Sequence, residues 1–229
     1  MIEDQPLLTL RGGFPRPPAE IVARFRDVPT GNLADALGGR AAMRPAIKPV
    51  VASAQRFAGV AVPCFCGPAD NLAAMGALSI AEPGDVIVAA ADGFLDAAIC
   101  GDVVAGIARN RGVVAFVTDG AVRDLDGLDA VGLPVFAAGV TPDSCARSGP
   151  GTAGFPVVCG GVAVSPGDIV VGDRDGVVVI PAARIEEALA GIERVRAAES
   201  DTLARVAAGL KDPPAIAALA SKSLIRVVD

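Results

Sequence analysis

The strongest constraint on the fold is a repeated alternation. Short, wholly apolar runs are bounded by Gly, Pro and Asp and alternate with segments of helical pattern. The turn Pro83-Gly84-Asp85 leads into Val86 to Ala90. Gly101-Asp102 opens a helical stretch reaching about Arg111, Gly112 stops it, and Val113 to Val117 is the next apolar run. Runs that short and apolar are buried on both faces, as in a largely parallel sheet covered by helices.

The remaining segments fit that frame. Helices are predicted over Pro18 to Arg26, Thr30 to Leu37 (Thr30 as N-cap, Gly38-Gly39 as stop) and Leu72 to Ile80, which Asp70 or Asn71 would cap. Strands are predicted over Val50 to Ala54, Gly59 to Pro63, Val135 to Ala137, Val157-Val158, Val162 to Ser165, Ile169 to Val171 and Val177 to Ile180. The last two are joined by the hairpin signal Asp173-Arg174-Asp175-Gly176. From Pro181 to about Leu210 the apolar spacing is helical, Pro213-Pro214 breaks it, and a short terminal helix follows. No fixed-period repeat and no linker stands out. The expectation is therefore one α/β domain over residues 1–229, a β-rich layered core flanked by helices, with an N-terminal arm (1–18) and a C-terminal helical extension (182–229).

Composition narrows the function. A chain of 229 residues with net charge −6 and no basic patch is a poor ligand for nucleic acid, whose binding rests on neutralising phosphates. No apolar run reaches the roughly 18 residues of a membrane span, and Met1 to Leu10 has no basic leader region. The 5 cysteines, Cys64, Cys66, Cys100, Cys145 and Cys159, are odd in number and irregularly spaced, which fits a reducing cytoplasm better than a disulfide framework.

The absences matter more. With 0 His there is no Ser-His-Asp triad, no Cys-His dyad and no imidazole metal ligand. The only lysines are Lys48, beside Pro49, and Lys211 and Lys222 in the tail, so a buried Schiff-base lysine is not expected. Carboxylates, arginines, backbone amides, hydroxyls and thiols remain.

The most informative constellation is Gly101-Asp102 followed by Arg123-Asp124. Asp102 falls at a helix N-terminus, and Arg123-Asp124 follows the run Val113 to Val117 through Thr118-Asp119-Gly120-Ala121. Both lie near the ends of sheet-flanking elements, where α/β proteins place their sites. The plainer alternative is that both aspartates merely cap helices.

The stretches Gly101-Asp102-Val103-Val104-Ala105 and Val117-Thr118-Asp119-Gly120-Ala121-Val122-Arg123-Asp124 resemble the signature of the RraA-like family, which includes the 4-hydroxy-4-methyl-2-oxoglutarate / 4-carboxy-4-hydroxy-2-oxoadipate aldolases. Ordered matches run from Thr30-Gly31-Asn32 through Asp70-Asn71-Leu72, Glu82-Pro83-Gly84-Asp85 and Gly160-Gly161-Val162 to Gly172-Asp173-Arg174-Asp175-Gly176, covering roughly residues 28–210. The resemblance implies a swivelling-domain-like β/β/α layered fold. It also implies a class II pyruvate aldolase, using Mg²⁺ or Mn²⁺, that cleaves a 4-hydroxy-2-oxo diacid and decarboxylates oxaloacetate as a side reaction.

On the same footing, Asp124 is the direct metal ligand, and Asp102 and Glu199 hold the metal through water, Glu199 by reaching a neighbouring subunit's site. Arg123 contacts the pyruvate moiety. Gly101 and the amides of Val103 and Val104 face its carboxylate, as suits a helix N-terminus. The partners implied are a small 2-oxo acid and further copies of the chain, as a homotrimer or homohexamer. The founding members of the family bind and inhibit a ribonuclease, and that non-catalytic role is the rival expectation.

Three motifs are decoys. Gly149-Pro150-Gly151-Thr152-Ala153-Gly154 spells G-x-G-x-x-G but leads into a strand and not a helix, so it lacks the phosphate-cradling geometry. Asp173 to Gly176 is too short for a calcium loop. Cys64-Phe65-Cys66 has no second pair for zinc. Two departures from the family stand out. Met75 occupies a position that is often basic or histidine, and Asp92-Gly93-Phe94-Leu95-Asp96 is unusually acidic and apolar. Both bear on the substrate beyond its pyruvate half.

Overall fold

A computed structural model describes residues 6–52, 56–226 and 228. From the N-terminus come β1 (Leu8–Leu10), α1 (Ala19–Ala23), α2 (Thr30–Ala36), β2 (Lys48–Pro49), β3 (Phe57–Phe65), α3 (Leu72–Ile80), β4 (Asp85–Ala90), β5 (Ala98–Cys100) and α4 (Asp102–Asn110). Then follow β6 (Ala115–Thr118), β7 (Ala121–Val122), α5 (Leu125–Val131), β8 (Val135–Ala137), β9 (Gly139–Val140), β10 (Gly151–Ala153), β11 (Val157–Cys159) and β12 (Val162–Val164). The chain closes with β13 (Ile169–Asp173), β14 (Gly176–Ile180), α6 (Ile185–Ala207) and α7 (Pro214–Ser221).

The main sheet runs β1-β10-β3-β4-β6-β8-β2, and the β13–β14 hairpin joins it through β3. The expected parallel unit is its centre: β3, β4, β6 and β8 are parallel neighbours. Every residue of β4 and β6 is buried, as the unbroken apolar runs require. One face packs Ile87, Ala89 and Phe116 under α3, α4 and Leu128 of α5. The other buries Val86, Val88 and Val117 against Val157, Cys159 and Val164 of the β11–β12 hairpin. A third apolar cluster joins β13 and β14 to α1, α2 and α6 through Phe25, Leu33, Ile180 and Leu189.

Several boundaries differ from expectation, each for a local reason. Thr30 does not cap α2. It is the first helical residue, and its hydroxyl and amide both donate to Asp173, at 2.7 and 2.9 Å. The strand expected over Val50 to Ala54 lies earlier, at Lys48–Pro49, although Val50 still donates to the Val135 carbonyl; Ser53 and Ala54 fall outside the described residues. The arm is not plain coil. Residues Leu8 to Leu10 pair in parallel with Gly151 to Ala153. Further along, Arg16 forks onto the buried Asp85 through Nε and Nη2, at 3.1 and 2.9 Å, and its guanidinium covers the Phe14 ring.

That arm explains the glycines of the decoy motif. A β-carbon at Gly149 or Gly154 would run into the carbonyl of Leu7 or Arg11, and both residues have positive φ. Their spacing serves backbone packing and not a phosphate.

Candidate active site

The two halves of the central motif meet because two very short strands pair. β5 runs parallel to β7, with Ala98 opposite Ala121 and Cys100 opposite Val122. Gly101-Asp102 leaves the end of β5 and Arg123-Asp124 leaves the end of β7, and the Arg123 amide donates to the Cys100 carbonyl at 3.0 Å. The intervening residues are used up by α4, by β6 and by the turn in which Asp119 holds the amides of Ala91 and Gly160.

Each acidic side chain has a glycine beside it. A β-carbon at Gly101 would collide with Asp124 Oδ2, and one at Gly127 would lie 2.6 Å from the Asp102 β-carbon. Gly127 sits inside α5, a helix the sequence reading missed because its glycine looks like a breaker. Asp124 precedes α5 in a left-handed conformation, φ 60° and ψ 48°, that non-glycine residues adopt at some cost, and its side chain makes no capping bond. The capping alternative therefore fails for Asp124. For Asp102 it fails in a different way. Gly101 is the N-cap, and Asp102 Oδ1 accepts from the next amide, that of Val103, at 2.7 Å.

These residues line a cleft of about 330 Å³. Gly101, Asp102, Val103 and Val104 form one side. Arg123 and Asp124 lie beside them, and Arg123 Nε stands 3.2 Å from Asp124 Oδ2 while its Nη1 donates to Ser144 Oγ. α3 contributes Asn71 and Met75, and the segment after β9 contributes Ser144, Cys145 and Arg147. That segment is fixed to α3: the Asn71 amide donates to the Ala146 carbonyl, and Asp70 Oδ2 accepts from the amides of Ser148 and Gly149. Asn71, Ser144 and Arg147 are polar lining residues that sequence reasoning did not single out as a site. The one signal near them was Asp70-Asn71, read as a helix cap and as part of an ordered match to the RraA-like family.

Of the predicted site residues, the structure brings together Gly101, Asp102, Val103, Val104, Arg123 and Asp124. Glu199 is elsewhere within the chain. It projects from the exposed half of α6 and accepts a hydrogen bond from Asn32 Nδ2 of α2. Among the described residues no three His, Cys, Asp or Glu side chains gather around one point. The carboxylates of Asp102 and Asp124 nevertheless suit a hard cation that keeps most of its water, because such an ion asks a protein for few, all-oxygen ligands.

The thiols do not compete for that role. Burial pushes the Cys100 thiol up strongly, and it pushes Cys145, at the rim of the cleft, up to about 11, so both stay protonated at neutral pH.

A family model for RraA-like proteins (Aldolase/RraA) matches residues 30–179. A protein of Halalkalibacterium halodurans named "Putative 4-hydroxy-4-methyl-2-oxoglutarate aldolase" is 39% identical over 81% of this chain and 87% of its own. Two solved structures share the fold. Streptomyces coelicolor RraAS2, described as an unusual member of the RNase ES inhibitor RraA family, is 26% identical with a TM-score of 0.73, over 83% of this chain and 100% of its own. The RNA-processing inhibitor RraA from Thermus thermophilis is 29% identical with a TM-score of 0.62, over 68% of this chain and 93% of its own.

Proposed function

Because this chain belongs to the RraA-like family, we propose that it is a divalent-metal-dependent aldolase. It would cleave a 4-hydroxy-2-oxo diacid to pyruvate and a second 2-oxo acid, and decarboxylate oxaloacetate at the same site. The observation that carries this reading is the β5–β7 pairing, which sets Asp102, Arg123 and Asp124 around one cleft.

Cleavage breaks the C3–C4 bond. The electron pair moves into the C2 carbonyl, and the C4 hydroxyl loses its proton to become a carbonyl. The first turn of α4 receives the C1 carboxylate on amides that no helical carbonyl reaches, chiefly that of Val104, because the Val103 amide already donates to Asp102 Oδ1. Arg123 directs permanently charged, planar donors toward the C2 oxygen as negative charge builds there, a contribution typically worth about 3 kcal/mol. Asp102, an acceptor held against Gly127, is the group toward which the C4 hydroxyl proton moves, and C3 of the enolate then takes up a proton to complete pyruvate. Asp124 would hold Mg²⁺ or Mn²⁺, with Asp102 and a neighbouring copy's Glu199 contributing through water. The ion would supply Lewis-acid stabilisation of the developing enolate. A trimer or dimer of trimers would bring Glu199 of one copy to the cleft of the next.

Pyruvate release from a panel of 4-hydroxy-2-oxo acids and from oxaloacetate tests the proposal. Turnover should disappear with EDTA and return with Mg²⁺ or Mn²⁺. Full turnover in chelator, or in Asp124→Ala, would overturn it. The similarity to RNA-processing inhibitors supports a second reading, a ribonuclease-binding regulator without catalysis. Specific, saturable ribonuclease binding by a protein that releases no pyruvate would favour it.

A further inference from the structure

The second half of α6 stands clear of the body. Ala188, Leu189, Gly191 and Ile192 are buried, but every residue from Arg196 to Gly209 is exposed. α6 meets α2 closely at Gly191, where a β-carbon would lie 2.8 Å from that of Ala36. Past that point one tie remains. Among the described residues, Asn32 Nδ2 to Glu199 Oε2 is the one hydrogen bond joining this exposed stretch to the rest of the chain.

The two partners are unlike. Glu199 is exposed, and water alone would satisfy it. Asn32 is 9% exposed and sits on a helix that is itself pinned, because Asp173 accepts from both the amide and the hydroxyl of Thr30. A buried, fixed donor therefore holds a carboxylate that would otherwise range over several rotamers. The bond uses Oε2. Among the described residues Oε1 has no partner, and its lone pairs stay open to a further donor.

Resting on the aldolase reading above, we infer that Asn32 is a positioning residue, which aims Glu199 Oε1 at the water around the cation in a neighbouring copy's cleft. Asn32 itself touches neither substrate nor metal. Partners of this kind orient the groups around a metal, and their loss typically costs ten- to a hundredfold in metal affinity. An anchor for α6 alone would make a different demand. It would need only an acceptor, and Glu199→Gln would serve it as well.

The test titrates Mn²⁺ into the assembled, chelator-stripped protein by calorimetry, with no substrate present. The variants are Asn32→Ala, Glu199→Gln, the two combined, and Asp124→Ala. Asn32→Ala should weaken Mn²⁺ binding by about tenfold. Glu199→Gln should weaken it at least as much, and the combination no further, because Asn32 acts only through Glu199. Oligomers mixed from Asn32→Ala and Asp124→Ala chains should regain a fraction of sites with wild-type affinity, since an intact Asn32–Glu199 pair then meets an intact cleft. Wild-type affinity in Asn32→Ala or in Glu199→Gln sinks the inference and leaves the aldolase reading standing. So does a combined loss equal to the product of the two single losses, or a mixture that regains no tight sites. If the wild type takes up no Mn²⁺, or Asp124→Ala takes it up equally well, the metal-dependent reading falls and takes the inference with it. Should Asn32→Ala fail to fold, Asn32→Ser, too short to reach Glu199, decides by the same comparison.

Discussion

Gly101 lies so close to Asp124 that no side chain fits between them, and the obstruction is the Asp124 carboxylate itself. The backbone at Gly101 is ordinary extended chain, φ −133°, which any residue adopts. Gly101→Ala should therefore leave stability nearly unchanged, within about 0.5 kcal/mol in a denaturant titration. It should displace the carboxylate and cut pyruvate release on the order of a hundredfold, as misplaced catalytic groups do. A fully active Gly101→Ala would show that the position of Asp124 does not matter.

Arg123 spans two partners, Nε toward Asp124 and Nη1 to Ser144. A lysine carries the charge but not the fork. Arg123→Lys should fold normally and lose about two decades in kcat with a smaller change in KM, the pattern of an interaction made in the transition state. Steady-state kinetics on oxaloacetate and on a 4-hydroxy-2-oxo acid would read it, and both reactions should suffer alike because both pass through the same enolate.

The Arg16–Asp85 fork tests the arm. The Asp85 side chain is 1% exposed and that of Arg16 is 17% exposed. Arg16→Met would leave a buried carboxylate with only the Glu82 amide, 2.8 Å away, for company. The cost should be about 3 kcal/mol, seen as a lower urea midpoint. Arg16→Met with Asp85→Asn should recover part of it.

Asp173 sets a pH dependence. Burial pushes its carboxyl up, but the Thr30 amide and hydroxyl, the Asp175 amide and the Arg56 charge outweigh that and hold it below the usual carboxylate range. Its folded value lies below its unfolded one. The stabilisation is therefore complete above the unfolded value of about 3.9 and fades as pH falls through the depressed folded value. Asp173→Asn should flatten the acid limb of the stability curve below about pH 4 while also lowering stability at neutral pH. Unchanged acid unfolding in that variant would remove Asp173 from the account.

The parts of the fold that were legible carry enough residues to show a period or a wholly apolar run. Val86 to Ala90, the Ile169-to-Ile180 hairpin and the helix from Leu72 to Ile80 are of that kind. β7 and β9 have two residues each, too few to carry any alternation, and their pairing partners are visible only in three dimensions. The site divides in the same way. Asp102, Arg123 and Asp124 could be read because they sit beside recognisable turns. Arg147 lies in an irregular stretch brought to the cleft by backbone bonds to Asp70 and Asn71. Glu199 was expected only from the family resemblance, and within one chain it meets Asn32 instead of the cleft.

The parallel seam between Leu8–Leu10 and Gly151–Ala153 makes β1 the outermost strand at one margin of the main sheet. A chain beginning after residue 12 would leave β10 with a row of unsatisfied amides and carbonyls, next to glycines shaped to admit a passing backbone. Such an uncovered margin is an invitation to self-template. Leu8 to Leu10 thus exchange that glycine-lined edge for one of 3 residues, too short to template much further pairing.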